Sequence, residues 1–231
     1  MPHWLVIDLE ATTDEGGWPI TEMEIIEIGA TLVDRKGREL DHFQRFVRPL
    51  RRPLLTPFCR ELTHITQANI DTAQPLSEVW ADFERWLGQH HTHLEGWVSW
   101  GDYDRKQLLL EWQQLQLASV LANVPHMNLK QRFAKVRRLE RPLGLNGALQ
   151  LAGLQFTSQQ HRALEDARNT ARLFEDLYRH ADFESAIAIV DQVLAKHRAI
   201  CCGTVLLQGR KGFAIYTAFA GFRVDGGQDA A

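Results

Sequence analysis

The most constraining feature of this sequence is a short apolar run near its amino terminus that ends in two acidic residues. Residues 4–7 read Trp-Leu-Val-Ile, and Asp8, Leu9 and Glu10 follow directly. A short apolar run of this kind is typical of a buried strand. Side chains two apart on a strand share a face, so Asp8 and Glu10 can reach one point in space. Paired carboxylates there are costly unless a cation neutralises them; two solvated acids at a strand end are the alternative.

Patterns along the rest of the chain predict an α/β fold. Two further strands are expected over 24–33 and 41–47, so that the first three strands form an antiparallel meander. Another strand is expected over 94–100. Helical spacing predicts four helices, over 77–89, from Asp104 onward, over 143–151 and over 163–178. The order of elements indicates a mixed sheet flanked by helices, in a domain over residues 1–180.

The carboxyl-terminal part of the chain has a different character. A short amphipathic helix is expected over 183–197, followed by two strands over 201–207 and 213–219. With neither an internal repeat nor a low-complexity linker in the sequence, residues 181–231 are predicted to form a small extension packed on the main domain.

Composition limits the classes of function. The net charge is −3, from 26 basic and 29 acidic residues, whereas proteins that coat nucleic acid carry a basic excess. Contact with nucleic acid is therefore expected to be local, metal-mediated or limited to a short strand. Cys59, Cys201 and Cys202 form no disulfide framework, the initial apolar run is too short for a signal peptide, and no stretch approaches a membrane span. A cytoplasmic protein with reduced thiols and no membrane contact is predicted.

Two more acidic clusters follow later in the chain. Asp102 and Asp104 flank Tyr103 at the junction between a predicted strand and helix, where capping of the helix is the alternative explanation. His161 lies just before another predicted helix, and Asp166 lies inside it. Aspartate is a poor interior helix residue, and an inward position facing a metal would account for it.

Together these residues have the chemistry of a two-metal phosphodiesterase. Two cations a few ångströms apart stabilise both the attacking and the leaving oxygen of an in-line displacement, and carboxylate oxygens suit Mg²⁺ or Mn²⁺. A histidine with a pKa near neutrality can take the proton of an attacking water. An ordinary surface histidine is the alternative for His161 taken alone.

In these motifs the sequence resembles the DEDDh family of 3′-to-5′ exonucleases. The first motif matches Asp8-Leu9-Glu10-Ala11-Thr12, the second Tyr103-Asp104, and the third His161 followed by Asp166. Segments 27–30, 58–67 and 166–172 make it most similar to the Eri-type, histone-mRNA 3′-exonuclease-like branch.

The resemblance implies a ribonuclease H-like fold and assigns roles by position. The metal ligands would be Asp8, Glu10, Asp104 and Asp166, holding two Mg²⁺ ions that Mn²⁺ can replace. His161 would be the general base, and Asp104 is preferred to Asp102 because it follows the aromatic residue. The implied substrate-binding residues are Ala11, Thr12, Leu62, Thr63, Ile65 and Tyr103. His64 departs from the family, because many relatives carry glycine there.

The implied activity is release of nucleoside 5′-monophosphates from single-stranded 3′ ends of RNA or DNA. Two alternatives are kept. The first is a nucleic-acid-binding or scaffold protein that has the fold without turnover. The second is a nuclease of the same fold that trims very short oligonucleotides or proofreads. Protein partners and the choice between RNA and DNA stay open at this point.

Overall fold

A computed structural model describes residues 3–90, 94–178, 205–209 and 212–216. The chain divides into two compact units, Met1–Glu184 and Ser185–Ala231. The first contains all the candidate site residues. The predicted packing of the extension on the main domain stays a prediction.

A six-stranded mixed sheet forms the centre of the first unit. Its strands are β1 (His3–Ala11), β2 (Ile25–Asp34), β3 (Glu39–Arg48), β4 (Gln74–Pro75), β5 (Leu94–Ser99) and β6 (His126–Asn128), in the spatial order β4-β3-β2-β1-β5-β6. β1, β2 and β3 pair antiparallel, whereas β5 runs parallel to β1 and β6 parallel to β5. The predicted meander and mixed sheet are confirmed.

Helices cover both faces of this sheet. They are α1 (Pro57–Thr63), α2 (Gln67–Asp71), α3 (Leu76–Gly88), α4 (Tyr103–Gln114), α5 (Leu129–Val136), α6 (Leu145–Leu151) and α7 (Ala163–Tyr178). The four predicted helices correspond to α3, α4, α6 and α7. α1, α2 and α5, of 7, 5 and 8 residues, were not predicted.

Alternation along β1 divides its side chains between two packed layers. Leu5, Ile7 and Leu9 join one apolar cluster with residues of α3 and α4. On the opposite face Trp4 packs against Phe174 of α7, with ring centroids 5.4 Å apart. Asp8 and Glu10 follow Trp4 by four and six residues, which are even numbers. The same alternation therefore places them on the α7 face. The core thus fixes which side of the sheet carries the carboxylates.

The second unit contains an antiparallel hairpin, β7 (Val205–Gly209) paired with β8 (Gly212–Tyr216). It confirms the two predicted strands with slightly different ends. The helix predicted over 183–197 lies outside the described residues. None of the described helices combines the length and apolar character that crossing a bilayer requires.

Candidate active site

The end of β1 supplies the first two carboxylates. Asp8 is paired with Gly29 of β2, and Glu10 with Glu27. The Glu10 side chain is buried, whereas Asp8 keeps partial exposure. The pairing shifts after Glu10, so the strand ends immediately beyond the acidic pair. Both carboxylates therefore lie on a stretch of β1 that is paired with β2, beyond the point where pairing with β5 ends at Val6.

Asp104 joins this pair from the first turn of α4. It is buried, and its Oδ1 accepts a hydrogen bond from the backbone N–H of Leu9 over 3.1 Å. Asp102 lies at the start of the same helix without capping it. Its side chain is 40% exposed and lies 3.5 Å from Lys106 and 3.9 Å from Arg105. Of the two candidates, Asp104 is the one that contacts the strand bearing Asp8 and Glu10.

The third cluster approaches from the start of α7. The backbone carbonyl of Arg162 accepts a hydrogen bond from the N–H of Asp166 over 2.9 Å, which closes the first helical turn. His161 precedes that turn with φ 59°, a left-handed conformation that non-glycine residues rarely adopt. Potential ligand atoms of Glu10, His161 and Asp166 all lie within 4.8 Å of one another.

Burial and mutual repulsion make this cluster hard to ionise. Burial raises the pKa of Asp104 to about 7, against hydrogen bonds from its own backbone and from Leu9 that lower it. Burial, followed by the charge of Asp104, likewise raises the pKa of Asp166 to about 7. The pKa values of Asp8 and Glu10 are raised well above their usual range, first by burial and then by the neighbouring carboxylates. Four acids from three elements thus affect one another directly.

The donor atoms fit divalent cations. All four carboxylates offer the oxygen ligands that Mg²⁺ and Mn²⁺ prefer, and cations would relieve the repulsion that raises their pKa values. The Oδ1 atom of Asp166 is buried and has no hydrogen-bond partner. An unsatisfied buried carboxylate oxygen is costly in a folded protein, and a metal ion is the partner that the surrounding acids allow.

A second histidine, His64, lies close enough to His161 to affect its charge. Burial, followed by the charge of His64, lowers the pKa of His161, which favours the neutral, proton-accepting imidazole at pH 7. His64 follows α1 in a left-handed conformation, φ 58° and ψ 18°. Glycine adopts this conformation at little cost, whereas a residue with a Cβ adopts it with some strain.

The six residues predicted to bind substrate differ in exposure. Ala11, Thr12, Thr63 and Ile65 are buried, whereas Leu62 and Tyr103 keep partial exposure. Ile65 belongs to an apolar cluster with Ile26, Leu55, Cys59 and Ile70. Thr12 Oγ1 accepts a hydrogen bond from the N–H of Glu24. Substrate contact by these residues stays a prediction.

Sequence reasoning missed a fifth carboxylate beside the cluster. Glu27 is completely buried in β2 and forms two hydrogen bonds with the guanidinium of Arg162, at 3.1 and 2.9 Å. A glutamate within the otherwise apolar run of 25–28 is the signal that would have revealed it, because a charge there needs a partner.

Residues 5–174 match the family model described as exonuclease, of the RNase T type. The chain belongs to this exonuclease family. The nuclease domain of 3′hExo, a DEDDh family member solved with bound rAMP, aligns with a TM-score of 0.69 and 28% identity over 74% of this chain and 88% of that one.

Similarity to curated relatives places this chain in the Eri-type branch of the DEDDh exonucleases. It is 32% identical to ERI1 exoribonuclease 2 of Homo sapiens and 35% identical to that of Danio rerio, over 74% and 73% of this chain. It is also 28% identical to the 3′-5′ exonuclease eri1 of Schizosaccharomyces pombe over 76% of this chain. The chain spans only 28% and 34% of the two ERI1 exoribonuclease 2 proteins.

Proposed function

We propose that this protein is a metal-dependent 3′-to-5′ exonuclease that releases nucleoside 5′-monophosphates from single-stranded 3′ ends. One observation carries the proposal: Asp8, Glu10, Asp104 and Asp166 converge from three elements, with a ring nitrogen of His161 within 4.8 Å of carboxylate oxygens of Glu10 and Asp166. A set of acids this costly to ionise is typical of a functional site rather than of a structural core.

The four carboxylates would hold two Mg²⁺ ions, with Mn²⁺ as a substitute. When bound, such ions stabilise the charge that develops on the phosphate and on the attacking and leaving oxygens. Four negative charges balance two divalent cations, and the oxygen-only set of carboxylates suits hard cations better than soft ones.

His161 is assigned as the general base. Water attacks the phosphorus, its proton passes to the neutral imidazole, and the bond from phosphorus to the 3′ oxygen breaks. The leaving 3′ oxygen takes up a proton from solvent. The products are a nucleoside 5′-monophosphate and a chain with a new 3′ hydroxyl. The lowered pKa of His161 keeps the imidazole ready to accept this proton near pH 7, and the exposure of the residue leaves a route to solvent.

RNA is the proposed preferred substrate. The curated relatives are named exoribonucleases, and the 3′hExo domain was solved with rAMP. The absence of a basic excess in the sequence agrees with capture of a chain end rather than of long duplex DNA. Ala11, Thr12 and Tyr103, next to the acids in sequence, together with Leu62, Thr63 and Ile65, are proposed to surround the terminal nucleotide.

A product-resolved digestion tests this function. Matched 5′-labelled RNA and DNA oligomers are incubated with Mg²⁺, with Mn²⁺ and with chelator. Stepwise shortening from the 3′ end with release of 5′-monophosphates, stopped by chelator and absent in Asp8→Ala, is expected. Binding without shortening would instead support an inactive binding protein, and activity confined to the shortest oligomers would support the oligonucleotide-trimming alternative.

A further inference from the structure

The contacts of Glu27 are concentrated on the segment that leads into α7. Besides the two hydrogen bonds from Arg162, Glu27 Oε2 accepts one from the backbone N–H of Ala163 over 3.1 Å. Gln44 of β3 donates a fourth, from Nε2 to Oε1, over 2.5 Å. The buried carboxylate is therefore fully hydrogen-bonded, and three of its four bonds come from the two residues that follow His161.

These bonds connect the two halves of the active site. Glu27 is the direct cross-strand neighbour of Glu10, so its position is fixed relative to the first acidic motif. Arg162 lies between His161 and the first helical turn, and its carbonyl accepts the N–H of Asp166. One side chain thus links the strand that carries Asp8 and Glu10 to the turn that carries His161 and Asp166.

Gly29 fixes the depth of the same contact. It lies two residues beyond Glu27 and so on the same face of β2. A Cβ atom at Gly29 would lie 2.0 Å from the backbone nitrogen of Leu164 and 2.1 Å from the carbonyl carbon of Ala163. The start of α7 therefore packs directly on the sheet backbone. The hydrogen bonds of Glu27 set the orientation of the start of α7 on the sheet.

We propose that Glu27 and Arg162 are positioning residues for the metal site, holding the His161–Asp166 turn over β1. The inference rests on the proposed function. Groups that orient metal ligands without touching the metal typically contribute 10- to 100-fold to metal affinity or activity. The pair acts through the ligands and not on the substrate.

The test uses Glu27→Gln in the full chain, which keeps the shape of the side chain and removes its charge. We expect Mn²⁺ affinity, measured by calorimetric titration of the metal alone, to fall about 10- to 100-fold. The kcat on a labelled RNA oligomer at saturating metal should fall as well, with little change in KM for the oligomer. Arg162→Lys keeps both charges and loses the planar fork, so it should fold normally and show the same pattern.

A matched control is available on the same helix. Arg168 of α7 forms two hydrogen bonds of 2.9 Å with Glu39 of β3, the same kind of connection between helix and sheet, made to β3 instead of β2. Glu39→Gln should leave Mn²⁺ affinity and kcat within about two-fold of wild type, because an exposed pair of this kind contributes little.

The outcomes separate the two proposals. Folded Glu27→Gln and Arg162→Lys proteins with the Mn²⁺ affinity and kcat of wild type would overturn the positioning role while leaving the nuclease assignment intact. If Glu27→Gln does not fold, Arg162→Lys decides by the same two measurements. A wild-type protein that neither binds Mn²⁺ nor shortens oligomers would overturn both.

Discussion

The backbone N–H of Leu9 donates a hydrogen bond to Oδ1 of Asp104 over 3.1 Å. This bond joins the start of α4 to the strand residue that lies between the two acids of the first motif. It holds the carboxylate of Asp104 against the backbone of β1. Asp102, two residues earlier, lies beside Lys106 and Arg105 instead.

Asp104→Asn is therefore expected to abolish activity while preserving the fold. The amide oxygen can still accept the N–H of Leu9, but the charge that a cation requires is gone. We expect kcat to fall by at least about 100-fold, beyond the loss typical of an outer partner, with an unchanged circular dichroism spectrum. Asp102→Asn is the control and should stay within two-fold of wild type, roughly the effect of losing an exposed ion pair. The reverse ranking would exchange the roles of the two residues.

His161→Ala should lower kcat by about 10²- to 10⁴-fold, the usual contribution of a general base. Single-turnover rates over a pH series are the measurement. In wild type the rate should rise with pH as the imidazole loses its proton. Because burial and His64 lower the pKa of His161, the midpoint of this rise should lie at a lower pH than for an ordinary histidine. A variant that keeps the wild-type pH profile would exclude this role.

Without metal, the protein should become less stable as pH rises from about 5 to 8. The pKa values of Asp104 and Asp166 are about 7 in the folded protein, whereas both carboxyls titrate near 3.9 in the unfolded chain. Between these values the folded protein holds more protons than the unfolded chain, so the free energy of unfolding decreases with pH. We expect a decrease of about 5 kcal/mol in urea denaturation with chelator present, because each of the two carboxyls keeps an extra proton over about two pH units at about 1.4 kcal/mol per unit.

Divalent metal should reverse this trend. Cations bind the ionised carboxylates of the folded state and stabilise it by mass action, so the increase in Tm on adding Mg²⁺ or Mn²⁺ should be larger at pH 8 than at pH 6. An equal increase at both pH values, or none, would contradict the carboxylate cluster as the binding site.

Gly29→Ala should destabilise the protein by about 2–3 kcal/mol, as overpacking of a filled core does. The added methyl would meet backbone atoms of Ala163 and Leu164, so it can be accommodated only by moving the start of α7. Gly147→Ala is the control, because the nearest atom to its Cβ lies at 3.7 Å and alanine favours the helix. Urea denaturation of both variants measures the difference, and equal stabilities would contradict the close approach.

His64→Gly should raise the free energy of unfolding by about 0.5–1 kcal/mol. The left-handed conformation at His64 costs a residue with a Cβ about 1–2 kcal/mol. Glycine avoids this cost but loses more backbone entropy on folding, which offsets part of the gain. His64→Ala keeps the Cβ and should give no such gain. A loss of stability in His64→Gly would mean that the imidazole makes contacts stronger than this strain.

The placement of the acids could be predicted from the sequence because it depends on local regularities. Alternation put Asp8 and Glu10 on one face of a strand, and Asp166 was out of place in a helix unless something faced it. The relation between Glu27 and Arg162 could not be predicted, because 135 positions separate them and their meeting depends on how α7 crosses β2. The closeness of α7 to Gly29 has the same cause.

The short helices α1 and α2 could not be predicted from the sequence for another reason. α1 and α2 are held by side chains that cap their first turns, Thr56 and Thr66, and not by an apolar period. The left-handed residues His64 and His161 follow from the loops around them. Neither His64 nor His161 has a local sequence pattern that would predict its left-handed conformation.

The two-sided pairing of β1 has a consequence for folding errors. If this strand slipped by one residue against its neighbours, every side chain would exchange faces, and Asp8 and Glu10 would enter the apolar layer beneath α3 and α4 while Leu9 entered the site. Such a mispaired chain would bury charges without partners. The carboxylates proposed to hold cations thus also penalise the wrong alignment of the central strand.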